Sequence, residues 1–421
     1  MKLKKIKAGA LQSTLFISVV IAILLSAFIL LIQLHKRFDI QTEFIQETVE
    51  NANDGVNYAL FNNVALKDSV LVNLNDEDYK SIKIYRDYWG VFETVTSVSK
   101  IKTNRIEKVA FIGGIQPKDN RLALYLEDQN KPLVLVGHTK IAGVAYLPQQ
   151  GVKPGNIAGH SYYGTDLIYG QKRTSNLLPK LVSDFYNTLT SLNLESNNEF
   201  IDISRNRNVS NSFLKPVKTI FSNNDIYLSL IKLTGHIQVI SKTKIIVEAS
   251  SQLKDVVLIA PEIEIKNKVN GIFQSLATNK ITVGENCTLN YPSALILKTK
   301  KPIQGPGTEN ENSLSEIRIG EGSIIKGLVV YHGDATKNNH KAQLIIEENA
   351  FVQGEAYCNL NLELKGTVQG SVFASNFIAN QSGSIYQNHI YNGNIISDDL
   401  PIQYVGLTFE DSKKGVMKWL Y

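Results

Sequence analysis

A fifteen-residue line recurs through this chain at spacings no single compact core would require. From Ile281 it reads ITVGENCTLNYPSAL, from Ile317 IRIGEGSIIKGLVVY, from Leu344 LIIEENAFVQGEAYC, and from Ile245 IIVEASSQLKDVVLI. Residues 133–147, LVLVGHTKIAGVAYL, share the frame more than 90 residues upstream. The common pattern is apolar at positions 1 and 3, small at 7, apolar at 9, often glycine at 11, and apolar at 13 and 15. Weaker copies start at Ile226, Ile263 and Leu362. The starts 245, 263 and 281 lie 18 apart, 317 lies 36 beyond 281, and 362 lies 18 beyond 344.

Apolar residues at i and i+2 make one face of a strand. A small residue and a glycine between two such pairs let the backbone turn a corner, because glycine tolerates positive φ and close approach. Two short strands and two corners in ~18 residues describe one rung of a β-solenoid, stacked ~4.8 Å above the last and stable only through its neighbours. About eight rungs would give a rod near 40 Å long. Gly143, Gly235, Gly327, Gly354 and Gly370 are expected along one edge. An ordinary β-sandwich would space its strands unevenly. A left-handed acyltransferase helix needs a strict six-residue period, which this chain does not keep. The line 351–378, FVQGEAYCNLNLELKGTVQGSVFASNFI, resembles the bactofilins, polymer-forming bacterial β-helices. That resemblance implies the fold and an expectation of assembly.

Leu15–Ile32, LFISVVIAILLSAFILLI, is uncharged and spans about 27 Å as a helix. With its uncharged flanks it can cross a ~30 Å hydrocarbon layer, and it is longer than the ~7–15-residue apolar region of a cleaved signal peptide. Four lysines precede it and Lys36-Arg37 follow it. The positive-inside rule places the N-terminus in the cytoplasm and the bulk of the chain outside. These flanks also explain the net charge of +5: residues 1–37 carry +6, leaving −1 for the rest, so no basic nucleic-acid face can be built.

The helix is expected to continue past the membrane. Between Phe38 and Phe61 there is no proline, and Phe38, Ile45, Val49, Ala52, Val56 and Leu60 fall on one helical stripe. An apolar half followed by an amphipathic half, meeting a head near 50–60, resembles the first helix of type IV pilins and pilin-like proteins. The resemblance implies packing of the membrane half into a filament core and, at Gly9-Ala10, processing; Ala10 stands where that family favours Phe or Met, and Thr14 where it favours Glu. Residues 66–130 hold short β-branched runs separated by turn composition, among them Leu122–Leu126. A small antiparallel sheet on the helix would bury Phe61, Trp89 and Phe92.

The fold class is thus mainly β: one N-terminal transmembrane helix, a small β-rich unit, then a β-solenoid with a helical insertion. The expected divisions are 1–34 flank and transmembrane helix, 35–62 amphipathic continuation, 63–132 β-rich head, 133–147 first rung, 148–225 insertion with a helix over 177–192, 226–395 solenoid, and 396–421 C-terminal cap. Lys298–Ser313 is expected as an exposed loop.

Chemistry is sparse. The two cysteines, Cys287 and Cys358, fall at core positions of their rungs, and the seven histidines include no pair at metal-ligand spacing. No P-loop, nucleophile elbow or dinucleotide fingerprint occurs. The rung acids Glu248, Glu285, Glu321, Glu347 and Glu348 stack at a corner, read as a solvated edge. Gly159–Gly164 is the densest polar-aromatic loop, and His160, Tyr162 and Tyr163 are the candidates for partner or glycan contact. No catalytic residue, metal or cofactor is expected. The expected role is a structural subunit or scaffold of an envelope or pilus-like assembly in the bacterial inner membrane. Its partners would be the lipid bilayer and other envelope or filament subunits, copies of itself included. The rival is a tethered carbohydrate-active (lyase or hydrolase) or glycan-binding β-helix, for which Tyr146, Tyr291, Tyr331 and Tyr357 are the hint of an aromatic row.

Overall fold

The computed structural model describes residues 9–72, 79–183, 185, 199–203, 205–299, 315–334, 339–410 and 412–420. Residues 300–313 of the loop expected at 298–313 lie outside them, as does half of the helix expected over 177–192. The described part corrects that expectation, since 177–182 are not helical and Leu181 bridges Phe409 in the C-terminal segment.

With neither proline nor a second interior glycine to break it, the N-terminal segment forms one helix, α1 (Gly9–Phe61, 53 residues), about 80 Å long. Its apolar half touches nothing in the chain: every residue from Gly9 to Glu43 is exposed. Burial starts at Thr48 and continues through Ala52, Gly55, Val56 and Ala59. The expected stripe is therefore covered only in its second half, and Phe38 and Ile45 remain exposed.

That half lies on a six-stranded antiparallel sheet formed by β1 (Ser69–Val72), β2 (Lys80–Trp89), β3 (Phe92–Ile101), β4 (Asn104–Ile115) and two C-terminal pieces, Val405–Gly406 and Lys414–Leu420, both paired with β4. Val56 and Ala59 pack on Ile82, Ile84, Val95, Ala110 and Ile112, with Trp419 at the margin. Glu93, buried in the sheet, accepts from Arg86 Nε at 2.6 Å and Lys414 Nζ at 2.8 Å. Three expectations are corrected here. Phe61 is 86% exposed, because it ends the helix beyond the sheet. Trp89 and Phe92 are buried, but against the neighbouring strands rather than the helix. The tail 414–420 is no cap: it supplies the last strand of this sheet.

Most of the remaining strands close into a barrel-like sheet paired in parallel except for one antiparallel hairpin, Thr367–Gln381 with Ser384–Gln387. His389–Tyr391, Leu133–Val136 and Val152–Pro154 form a separate three-stranded parallel sheet, and Asn156–Ile157 pairs with His160–Ser161 in a small antiparallel one. One ladder runs Ile226–Ile245–Ile263–Ile281–Ile317–Leu344–Leu362, so each repeat start meets the next. A second runs Val239–Leu258–Ser275–Leu295–Val329–Ala356–Val372–Leu124. The apolar members of both ladders point into one continuous core. At the corner leading into the second ladder, Gly327, Gly354 and Gly370 stack with φ of 139°, 151° and 150°. A Cβ on Gly354 would stand 2.0 Å from the Gly327 oxygen, so only glycine lets the ladder close there.

Chain order and stacking order differ. Leu122–Leu126, expected in the head, pairs with Val372–Ala374, and Leu133–Val136 pairs with His389–Tyr391. Residues 133–147, expected as the first rung, therefore stack beyond the last repeat. Nor is 148–225 an excursion. Val152–Pro154 and Lys172–Thr174 extend that end, while Asn208–Asn211 and Lys218–Ser222 extend the other. Their short strands lack the repeat line, which is why spacing alone treats them as loop.

Candidate functional site

The outward side of the second ladder is the most distinctive surface. Ile259, Leu276, Ile296, Val330, Tyr357, Phe373, Tyr125 and Tyr146 follow one another along it, one per strand. A strand apolar on both faces must be covered on both. Here the head covers it: Trp89, Val91, Phe92, Val109, Phe111, Leu407 and Leu420 close over this row. Polar contacts fix the register. Trp89 Nε1 donates to Asp255 O at 2.9 Å, Gln274 Nε2 to Trp89 O at 2.8 Å, and Val91 N–H to Gln274 Oε1 at 2.8 Å. His236, stacked on Phe213 and edge-on to Trp89, takes a 2.8 Å contact with Lys215 O; burial holds its imidazole below the ordinary value. The continuous runs 256–260, 294–297 and 328–331 signal this docking in the sequence, where alternation would have left one face polar.

The expected aromatic row divides accordingly. Tyr146 and Tyr357 share the outward row, and Tyr357 is buried with its hydroxyl donating to Pro179 O. Tyr331 points into the core, and Tyr291 is held under the C-terminal segment by its bond to Val405 O at 2.8 Å. Tyr125 and Tyr146, stacked at 5.1 Å with Arg173 over Tyr146, keep partly open faces.

His160, Tyr162 and Tyr163 lie at the end of the stack formed by 152–174. His160 ends a hairpin whose turn uses Ala158 at φ 52° and Gly159 at φ 87°, and it is exposed near Tyr391. Tyr163 is 56% exposed, with its ring 4.9 Å from that of His138. Tyr162 is a different kind of residue: its ring packs on the core, its hydroxyl donates to Asp166 O, and burial raises its phenol above the ordinary range. The structure brings His138, absent from the expected set, beside Tyr163 and leaves Tyr162 half-buried against the core.

Glu355 stands out elsewhere. It is fully buried where the head meets the stack, and desolvation pushes its carboxyl up to about 7. Cys287 and Cys358 are core residues, and burial raises the Cys358 thiol to about 12, far from a nucleophile's range. Of the corner acids, Glu285, Glu321 and Glu348 are exposed, as a solvated edge requires, Glu321 accepting from Asn349, while Glu347 lies between Arg318 and Lys365. Among the described residues no group of three or more His, Cys, Asp or Glu is placed to hold a metal.

No family model matches this chain, and no curated protein matches it. Among solved structures, the competence-associated pilin ComZ from Thermus thermophilus aligns over 85% of this chain and 86% of its own, at 10% identity and a TM-score of 0.21. A score that low does not establish a shared fold. The architecture itself defines a mainly β protein carrying one long apolar N-terminal helix, of the length and composition of a membrane anchor.

Proposed function

We propose that this chain is a membrane-anchored, non-catalytic structural subunit or scaffold of a bacterial envelope or pilus-like assembly, its parallel stack a β-solenoid of about eight rungs. One observation carries the reading: α1 is bare over Gly9–Glu43 and docked over Thr48–Ala59. An apolar span long enough to cross a bilayer, with no intramolecular cover, needs lipid or other helices around it. The docked half then holds the head at a set distance from the bilayer. In the orientation the flanking lysines favour, the N-terminus is cytoplasmic and the head and stack lie outside the inner membrane.

The test is the intact mass and N-terminal sequence of the protein purified from its native envelope, followed by cross-linking there. A start at Ala10, with cross-links between copies through α1, supports a filament subunit. A start at Met1 with cross-links to other envelope proteins supports an anchored scaffold. A start beyond Ala27 removes the anchor and refutes the proposal. The exposed His138–Tyr163 pair, with His160 exposed on the same 152–174 segment, favours a glycan-binding role as the second reading. It requires that Tyr163→Ala abolish binding on a glycan panel while leaving the melting temperature unchanged; no binding by the wild type rules it out. Cleavage of any glycan would overturn the non-catalytic assignment.

A further inference from the structure

The chain crosses twice between head and stack, outward after β4 and back through 397–407. Both crossings converge on one side chain. Gln116, on the outgoing segment, donates Nε2 to Glu355 Oε1, and Leu407, on the returning one, donates its N–H to Glu355 Oε2. The return segment lies so close that a Cβ on Gly406 would stand 2.1 Å from the carboxylate, which is why glycine stands there. Ser371, on the adjoining strand, also takes an Nε2 hydrogen bond from Gln116, at 3.0 Å. A carboxylate is an unusual choice for this place, since its paired neighbours on the ladder are Leu328 and Ser371.

We propose that Glu355 is a proton-dependent clasp between head and stack: protonated, it closes the junction, and ionised, it loosens both crossings. A buried anion that accepts from two neutral donors is poorly compensated, so ionisation favours an opening that admits solvent. The ionisable groups facing it offer no relief. Tyr404 and Tyr291 are both buried phenols raised above their ordinary value, with desolvation the largest cause, and they stay neutral. Their hydroxyls are engaged by Gly327 O and Val405 O. Arg121, on the outgoing segment, is turned to the carbonyls of Pro117, Leu400 and Pro401. Burial lifts the Glu355 carboxyl from 4.5 to about 7, so the closed junction binds a proton that the open one releases. The sign follows: closure is strongest below pH 4.5, weakens as pH rises towards 7, and is level above that.

The experiment is hydrogen exchange of the full-length protein in detergent at pH 5.5 and 8.0, corrected for intrinsic rates, comparing wild type with Glu355→Gln. In the wild type, amides at 404–407 and 114–116 should exchange on the order of tenfold faster at pH 8.0 than at pH 5.5 after correction. Glu355→Gln should be equally protected at both values. Unchanged exchange in the ladder around 281–283 and 317–319 shows that the variant is folded; should it fail to fold, Gln116→Ala, which removes one donor, should widen the wild-type difference. A wild-type junction indifferent to pH overturns the proposal, as does an undiminished pH response in Glu355→Gln.

Discussion

Gly55 tests whether α1 is held by the head or merely lies beside it. Replacing a helical glycine by alanine ordinarily stabilises a helix by about 1 kcal/mol. At this position the new methyl would stand 2.1 Å from Ser97 Oγ and 2.7 Å from Ile82 Cγ2. Neither atom is the end of a long, flexible chain, and both sit on the sheet. Ordinary contact is restored only if the helix retreats by more than 1 Å, which parts Ala52, Val56 and Ala59 from the strands they cover. Overpacking of this kind costs about 1–3 kcal/mol, and the lost apolar contact adds to it, so the net effect of Gly55→Ala is a loss of about 2 kcal/mol. Ser97 sharpens the test, because its hydroxyl is buried without a hydrogen-bond partner. Ser97→Ala should by itself gain about 1 kcal/mol and should recover part of the Gly55→Ala loss, a coupling above 1 kcal/mol. The assay is a tryptophan-fluorescence melt of the full chain in detergent, since Trp419 packs at the helix-facing cluster. The control is Asp54→Ala, one residue earlier on the exposed side, which should leave the melt unchanged or slightly higher. A Gly55→Ala protein that melts at or above the wild-type temperature would refute the docking geometry.

Three further outcomes follow from the packing. Gly354→Ala must adopt φ 151° and place its methyl against the Gly327 carbonyl; a loss above about 3 kcal/mol in urea denaturation is expected, and a loss under 1 would mean the corner is loose. Glu93→Gln leaves Arg86 and Lys414 facing each other in the sheet without their carboxylate, a loss of about 3 kcal/mol by the same measurement. Glu264 bridges Lys244 and Lys266 on the rim, and its hydrogen bonds to them hold its carboxyl below the ordinary value. Its contribution is therefore present above that ordinary value and disappears as pH falls through the depressed one. Glu264→Gln should lose less than about 1 kcal/mol at neutral pH, and less again in 1 M salt.

The repeat was legible because each of its strands carries its own inward pair: Ile245 and Val247, Ile281 and Val283, Ile317 and Ile319. Neighbouring copies then pair at the offset of the repeat itself. What the line does not encode is which strand lies at an end. Leu133–Val136 looks like any other copy, and only its contact with His389–Tyr391 tells where it stacks. The head's seat was half legible. Leu328 and Val330, outward on a strand whose inward residues are Val329 and Tyr331, already ask for a second cover, but nothing local says that Trp89 and Phe111 provide it. The surface candidates were read by composition alone, which cannot tell a tyrosine that packs, Tyr162, from one that projects, Tyr163. Glu355 was passed over because an acid in a rung reads as an exposed corner, and its burial comes from segments on both sides of it in sequence.

The stacking order has a consequence for how the protein is made. The segment 122–174 is synthesised early, yet its neighbours are 367–396, about 250 residues later. Until those residues emerge, its inner edge stays open, and the last strand of the head, Lys414–Leu420, is later still. Pairings so far apart in sequence slow folding, because a long loop must close before they form. Under the anchoring proposed above, α1 would commit the nascent chain to the bilayer long before its outer portion can close, and that tether would keep the unfinished edges apart from those of other copies during the wait.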